Sequence, residues 1–136
     1  MKRDLEFIKR LFDAAQASPE PTFNILWLQA AGVDYETEPA QLEFHLKLAV
    51  DEGLIECDDG KPGFGLEKSL DGSYRQWSVI PLRLTSTGQR FADAIAVEGV
   101  WPTVVKKCAH AGLQMVVEMA IGLAKDYVKR LVTGGG

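Results

Sequence analysis

The clearest hydrophobic period in the chain lies at Leu42, Leu46, Ala49 and Val50, spaced i, i+4, i+7 and i+8. Such a stripe is one face of an amphipathic helix. Gly53 can take the left-handed conformation that ends a helix, and Leu54-Ile55 then opens extended structure. Earlier, Leu5, Ile8, Phe12 and Ala15 mark a first helix, with Asp4 as its N-cap and Pro19 and Pro21 stopping it near Ser18. Phe7 and Leu11 widen its apolar face, so this helix should pack against two neighbours.

Between these helices, residues 22–28 carry two patterns at once. Phe23, Ile25 and Trp27 alternate as a short strand does, while Ile25, Leu28 and Ala31, closed by Gly32, fit the first helix of a helix-turn-helix. The alternation is given the greater weight, and a strand is expected. The central helix should begin near Thr37, with Pro39 in its first turn. Residues 57–76 read as a polar hairpin, its turns set by Gly60, Pro62, Gly63, Gly65 and Gly72. Trp77, Val79, Leu82 and Leu84 supply a return strand, with Pro81 at an edge or bulge.

Thr85 or Ser86 should cap a further helix whose inner face is Phe91, Ala94 and Ile95, ended by Gly99. A short helix with Pro102 early in it follows, through His110. A last one over residues 113–132 sets Leu113, Val116, Val117, Ala120, Ala124, Tyr127, Val128 and Leu131 on one face. Gly134-Gly135-Gly136 should fray. Helix, Gly-Leu-Ile strand, long polar hairpin, return strand and helix form the grammar of a winged-helix domain. The expected fold is mainly α with a small antiparallel β wing: a winged-helix domain over residues 1–99, with a helical extension over 100–136 packed on it as one structural unit.

A length of 136 residues suits one domain with a proper core. No apolar run reaches the roughly 18 residues of a membrane span, and the opening Met1-Lys2-Arg3-Asp4 lacks a signal-peptide core, which places the chain in the cytoplasm with no membrane partner. Cys57 and Cys108 are too few for a disulfide framework and read as buried thiols. The net charge is −4, unevenly spread. Residues 1–55 carry 5 basic and 10 acidic side chains, residues 56–99 carry 5 and 7, and residues 100–136 carry 5 and 2.

That acidity bears directly on DNA. A winged helix lays one helix in the major groove while its hairpin touches phosphates. The candidates for such contacts are Thr37, Gln41 and Lys47 on the central helix and Lys61, Lys68 and Arg75 on the hairpin, with Gln41 suited to adenine and Lys47 to guanine or phosphate. Glu36, Glu38, Glu43, Asp51 and Glu52 crowd the same helix, and Asp58, Asp59, Glu67 and Asp71 outnumber the hairpin cations. Phe44 and Leu48, on the side opposite Leu42 and Leu46, suit a buried contact better than a groove.

Catalytic chemistry finds less support. His45 and His110 stand 65 positions apart, and neither has a ligand partner at metal spacing. His45 fits a hydrogen-bonded residue at the core edge, Asp58-Asp59 a solvated turn, and Gly60, Gly63 and Gly65 precede no helix as a phosphate loop requires. No enzyme activity, metal or cofactor is expected.

Several stretches resemble one family: Met1-Lys2-Arg3-Asp4-Leu5-Glu6-Phe7-Ile8, then Phe44-His45-Leu46-Lys47-Leu48 with Glu52-Gly53-Leu54-Ile55-Glu56. Arg83-Leu84-Thr85 with Gly88 and Phe91, and Asp93-Ala94-Ile95 leading to Val100-Trp101, continue the likeness. Together they resemble the domain-of-unknown-function family 2513, small proteins of bacteria and their phages. Ala49-Val50-Asp51 departs from that family's leucine-rich centre. The resemblance implies a winged-helix protein of phage or mobile-element origin and supplies no catalytic residues.

Two functions from different classes follow. One is a DNA-binding regulator of transcription, favoured by how often winged helices bind duplex DNA and taken as the leading expectation. The N-terminal Lys2, Arg3, Lys9 and Arg10 or the basic C-terminal part would then add phosphate contacts. The other is a protein-interaction module that keeps the frame and has lost the DNA surface, favoured by charge. Met115, Met119 and Leu123, at i, i+4 and i+8, add a second apolar edge to the last helix and with Phe44 and Leu48 suggest a homodimer.

Overall fold

The computed structural model describes residues 1–133, so the terminal glycines expected to fray lie outside the described residues. The described chain is mainly helical with a small antiparallel β part. It gathers into two compact units, Met1–Gly88 and Gln89–Gly136.

In the first unit, α1 (Leu5–Gln16) starts where the Asp4 carboxylate accepts the N–H groups of Glu6 and Phe7, two donors a helix start leaves unpaired. It buries Leu5, Phe7, Ile8, Leu11, Phe12 and Ala15, the wide face its sequence indicated. The expected strand at residues 22–28 is corrected. Only Phe23 pairs as a strand does, bridging Leu82 through a reciprocal pair of backbone hydrogen bonds of 2.9 and 2.8 Å. Asn24 then caps α2 (Ile25–Ala30), its side chain accepting the Trp27 N–H, and Ile25 and Leu28 point inward.

The central helix, α3, spans Pro39–Asp51 and starts two residues later than expected. Proline at its first turn needs no donor there, whereas the preceding Glu38 makes no side-chain cap. Leu42, His45, Leu46 and Ala49 are buried. Gly53, at φ +67°, closes the helix: its N–H donates to Val50 and that of Leu54 to Ala49, satisfying the last carbonyls.

The hairpin has two tiers. The base is β1 (Ile55–Cys57) paired antiparallel with β4 (Leu82–Leu84), Ile55 opposite Leu84 and Cys57 opposite Leu82. The tip is β2 (Leu66–Lys68) paired with β3 (Arg75–Trp77) in a separate sheet. The continuous return strand expected from Trp77 to Leu84 is thus broken between Trp77 and Leu82, where Pro81 cannot donate and Val79 is exposed.

α4 (Ser86–Ile95) is capped by Thr85, whose hydroxyl accepts the Gly88 N–H at 3.0 Å. In the second unit α5 (Val100–Lys107) packs on α6 (Leu113–Thr133). Burial on α6 stops at Ala120. Tyr127, Val128 and Leu131, expected on the core stripe, are exposed, which corrects the reach of that stripe. Among the described residues no helix is long and apolar enough to cross a membrane.

Candidate functional site

The outer side of α3 and the hairpin beside it are joined at one carboxylate. Lys68 and Arg75 are directly opposite in the β2–β3 register, so both side chains leave the same face of the hairpin. Leu66 and Trp77, the next pair on that face, bring apolar surface with them. Glu43 of α3 receives both cations: Lys68 Nζ and Arg75 Nη2 each lie 2.8 Å from one of its oxygens. Partial burial acts to raise the Glu43 pKa, but hydrogen bonds and charge from Lys68 and Arg75 outweigh it and hold the carboxyl below its ordinary value. Trp77 packs toward Phe64 and Tyr35, ring centroids 6.0 and 6.4 Å away, and fixes the hairpin further.

At the hairpin turn, Asp71 accepts hydrogen bonds from the Ser69 hydroxyl and from the backbone N–H and hydroxyl of Ser73. These donors stabilise its charged form and draw its pKa down to about 2. The turn is therefore anionic at any physiological pH.

On the inner side of α3, His45 is 1% exposed and ties α3 to the start of α1. Its Nε2 accepts the Asp4 N–H at 2.8 Å, which leaves Nδ1 to donate to the Gln41 carbonyl at 2.6 Å. Its ring stacks on Phe7 at 4.6 Å and meets Phe44 edge-on. Burial lowers its pKa, opposed by the Gln41 bond and Asp4 and aided by Arg10. This is the hydrogen-bonded histidine of a core edge that its position beside the stripe suggested.

The remaining candidates scatter. Thr37 is exposed ahead of α3, and Gln41 and Lys47 are exposed on it. Lys61 sits in a turn with its amine 3.9 Å from Asp59. Phe44 and Leu48 are half-buried on α3. Met115 is exposed, whereas Met119 and Leu123 are half-buried on α6. The Cys57 thiol donates to the Gly63 carbonyl, and burial with Asp59 and Glu56 nearby raises its pKa, the opposite of an activated nucleophile. Among the described residues no cluster of His, Cys, Asp or Glu could hold a metal ion.

Two features escaped the sequence reading. Glu43 was counted only as a repelling charge, although it organises the hairpin. The second is a groove of about 570 Å³ in the second unit, between α4 and the distal half of α6.

Most of the first unit's cations rest on its own carboxylates. Its 9 basic side chains face 15 acidic ones. Lys9 pairs with Asp13, Arg83 with Glu56, and Arg10 makes a two-pronged contact with Glu38 while lying over the Phe7 ring. The Glu38 bond raises the Arg10 pKa further above its ordinary value. No family model matches the chain, and no curated protein or solved structure matches it either.

Proposed function

We propose that the chain is a regulator acting through a protein partner, on a winged-helix frame whose DNA face is closed. The order of the first unit supports the frame: α1, an extended Phe23, α2, α3, β1, an inner hairpin and β4, with Phe23 and β1 both paired to β4. The observation that carries the partner reading is the Glu43 contact. The hairpin cations that would grip phosphate, Lys68 and Arg75, both rest on it. Releasing them to DNA would leave a carboxylate facing the phosphates, in a unit that already carries 15 acidic side chains against 9 basic. The α3 surface beside it mixes half-buried Phe44 and Leu48 with exposed Gln41, Lys47 and Asp51. An apolar centre with a polar rim suits a protein surface. The resemblance to family 2513 fits a mobile-element regulator, and no family model adds weight to it.

Fluorescence anisotropy on a labelled mixed-sequence duplex tests this reading. The protein should show no binding up to roughly 50 μM at about 50 mM salt, where non-specific binders are readily seen. Glu43→Gln, which frees Lys68 and Arg75, should gain weak, salt-sensitive affinity. Low-micromolar binding by the unaltered protein, weakening steeply with salt, would restore the DNA-binding regulator.

A further inference from the structure

The distal half of α6 presents an apolar face that its own unit leaves open. At about 1.5 Å per residue, residues 121–133 extend roughly 20 Å, and Val128 and Val132 within them are 54% and 77% exposed. The groove alongside is walled by Ala94 of α4, by Val97 in the turn after it, and by Ile121, Val128 and Val132 of α6. Its charged lining is Arg90, Lys125 and Lys129 against the single carboxylate of Asp93, an excess of positive charge. Neither lysine is in an ion pair among the described residues. Ile121, Lys125, Val128 and Val132 follow i, i+4, i+7 and i+11, so one lysine stands inside the apolar stripe itself.

We infer that this groove docks an acidic amphipathic helix of a partner protein. Its length matches about three to four turns, the usual extent of a helix-in-groove contact. Its walls call for apolar anchors at i, i+3 or i+4, and i+7, and its two lysines for carboxylates flanking those anchors. A second copy of the chain fits less well, because a two-fold pairing of the groove with itself brings two copies of the same predominantly positive face together. This docking involves the second unit alone and stands apart from the reading of α3 above.

The test is a selection of displayed random peptides, about 16 residues long and so able to form roughly four helical turns, on the full-length protein. Selected peptides are then synthesised and titrated by anisotropy. The expected winners combine helical apolar spacing with an excess of Asp and Glu, and lose at least about tenfold in affinity for Val128→Glu. Because Val128 is exposed, that variant should keep its fold, which circular dichroism checks. The doubly reversed Lys125→Glu/Lys129→Glu protein should instead prefer the same peptides with lysine in place of each acid. No selected binder, winners without acidic bias, or winners that bind Val128→Glu equally well would overturn the proposal. So would a dimer in light scattering that Val128→Glu dissociates, since the occupant would then be a second copy.

Discussion

Replacing Gly88 by alanine sets two effects of opposite sign against each other. Gly88 lies in the first turn of α4, where alanine favours the helix by up to about 1 kcal/mol. The added methyl group, however, would stand 1.9 Å from the Leu54 carbonyl oxygen and 2.8 Å from its carbon. An unstrained carbon–oxygen contact is about 3.3–3.6 Å, so the helix start and the chain entering β1 must separate by more than an ångström. That movement pulls on the bonds that join them. The Thr85 N–H donates to the same Leu54 oxygen at 3.0 Å, and the Thr85 hydroxyl bonds the Gly53 carbonyl. Loosening two such bonds costs about 0.5–1.5 kcal/mol each, and forcing a methyl into a packed site adds about 1–3 kcal/mol. The net expectation is a loss of about 2–4 kcal/mol, a large share of the 5–15 kcal/mol typical of a domain. Urea denaturation followed by tryptophan fluorescence measures it. Gly122→Ala is the control: it sits within α6 with nothing inside 4 Å of the new methyl, and should gain roughly 0.5–1 kcal/mol. A Gly88→Ala protein as stable as its parent, beside a stabilised Gly122→Ala, would refute the close approach of α4 to Leu54.

Two further outcomes follow from α3. Leu46 is fully buried, so Leu46→Ala should lower stability by about 2–5 kcal/mol, and a melting temperature within a degree of the parent would contradict its core position. His45 is held neutral by burial, with its pKa below the ordinary value, whereas the unfolded chain takes up the proton near pH 6.5. Its contribution is therefore present above that pH and falls as acidity increases toward the folded pKa. Between pH 7 and about 5.5 the parent should lose stability that His45→Gln does not lose. Parallel pH profiles for the two would count against the neutral, doubly bonded ring.

What the sequence made legible is what local chemistry determines. The Asp4 cap, the apolar periods of α1 and α3, the Gly53 stop and the Thr85 cap each involve residues within one or two helical turns. Residues 22–28 were harder because their two signals were both real. Phe23 is extended only because Leu82, far along the chain, supplies its hydrogen-bond partners, while Asn24 restarts the chain as a helix one residue later. An asparagine three residues before Trp27 was the local sign of that cap, and the alternating apolar pattern obscured it. On α6 the period marked the apolar side correctly but not how far a neighbour would cover it. The packed α5 has 8 residues against 21 in α6. At about 1.5 Å per residue it spans less than half of that helix, so the distal stripe stays in solvent.

The charge around α3 shows why counting along the chain was a blunt guide to function. In sequence, Lys68 and Arg75 weigh as two cations on a hairpin and Glu43 as one anion on a helix. Lys68 is 25 positions from Glu43 and Arg75 is 32, and no helical or strand spacing connects them. The β2–β3 register brings the two cations side by side, and the hairpin's packing through Trp77 and Phe64 sets them on the carboxylate. Once there, they stabilise the hairpin's position on α3 and are no longer available to an outside anion without exposing Glu43. Lys125 and Lys129 show the converse. They belong to the shorter, more basic end of the chain, stand beside exposed valines, and are in no ion pair among the described residues, although Asp93 lines the same groove. The capacity of a cation to recruit a partner thus depends on which neighbours have already neutralised it, and in this chain that distinction assigns the closed face to the hairpin and the open one to α6.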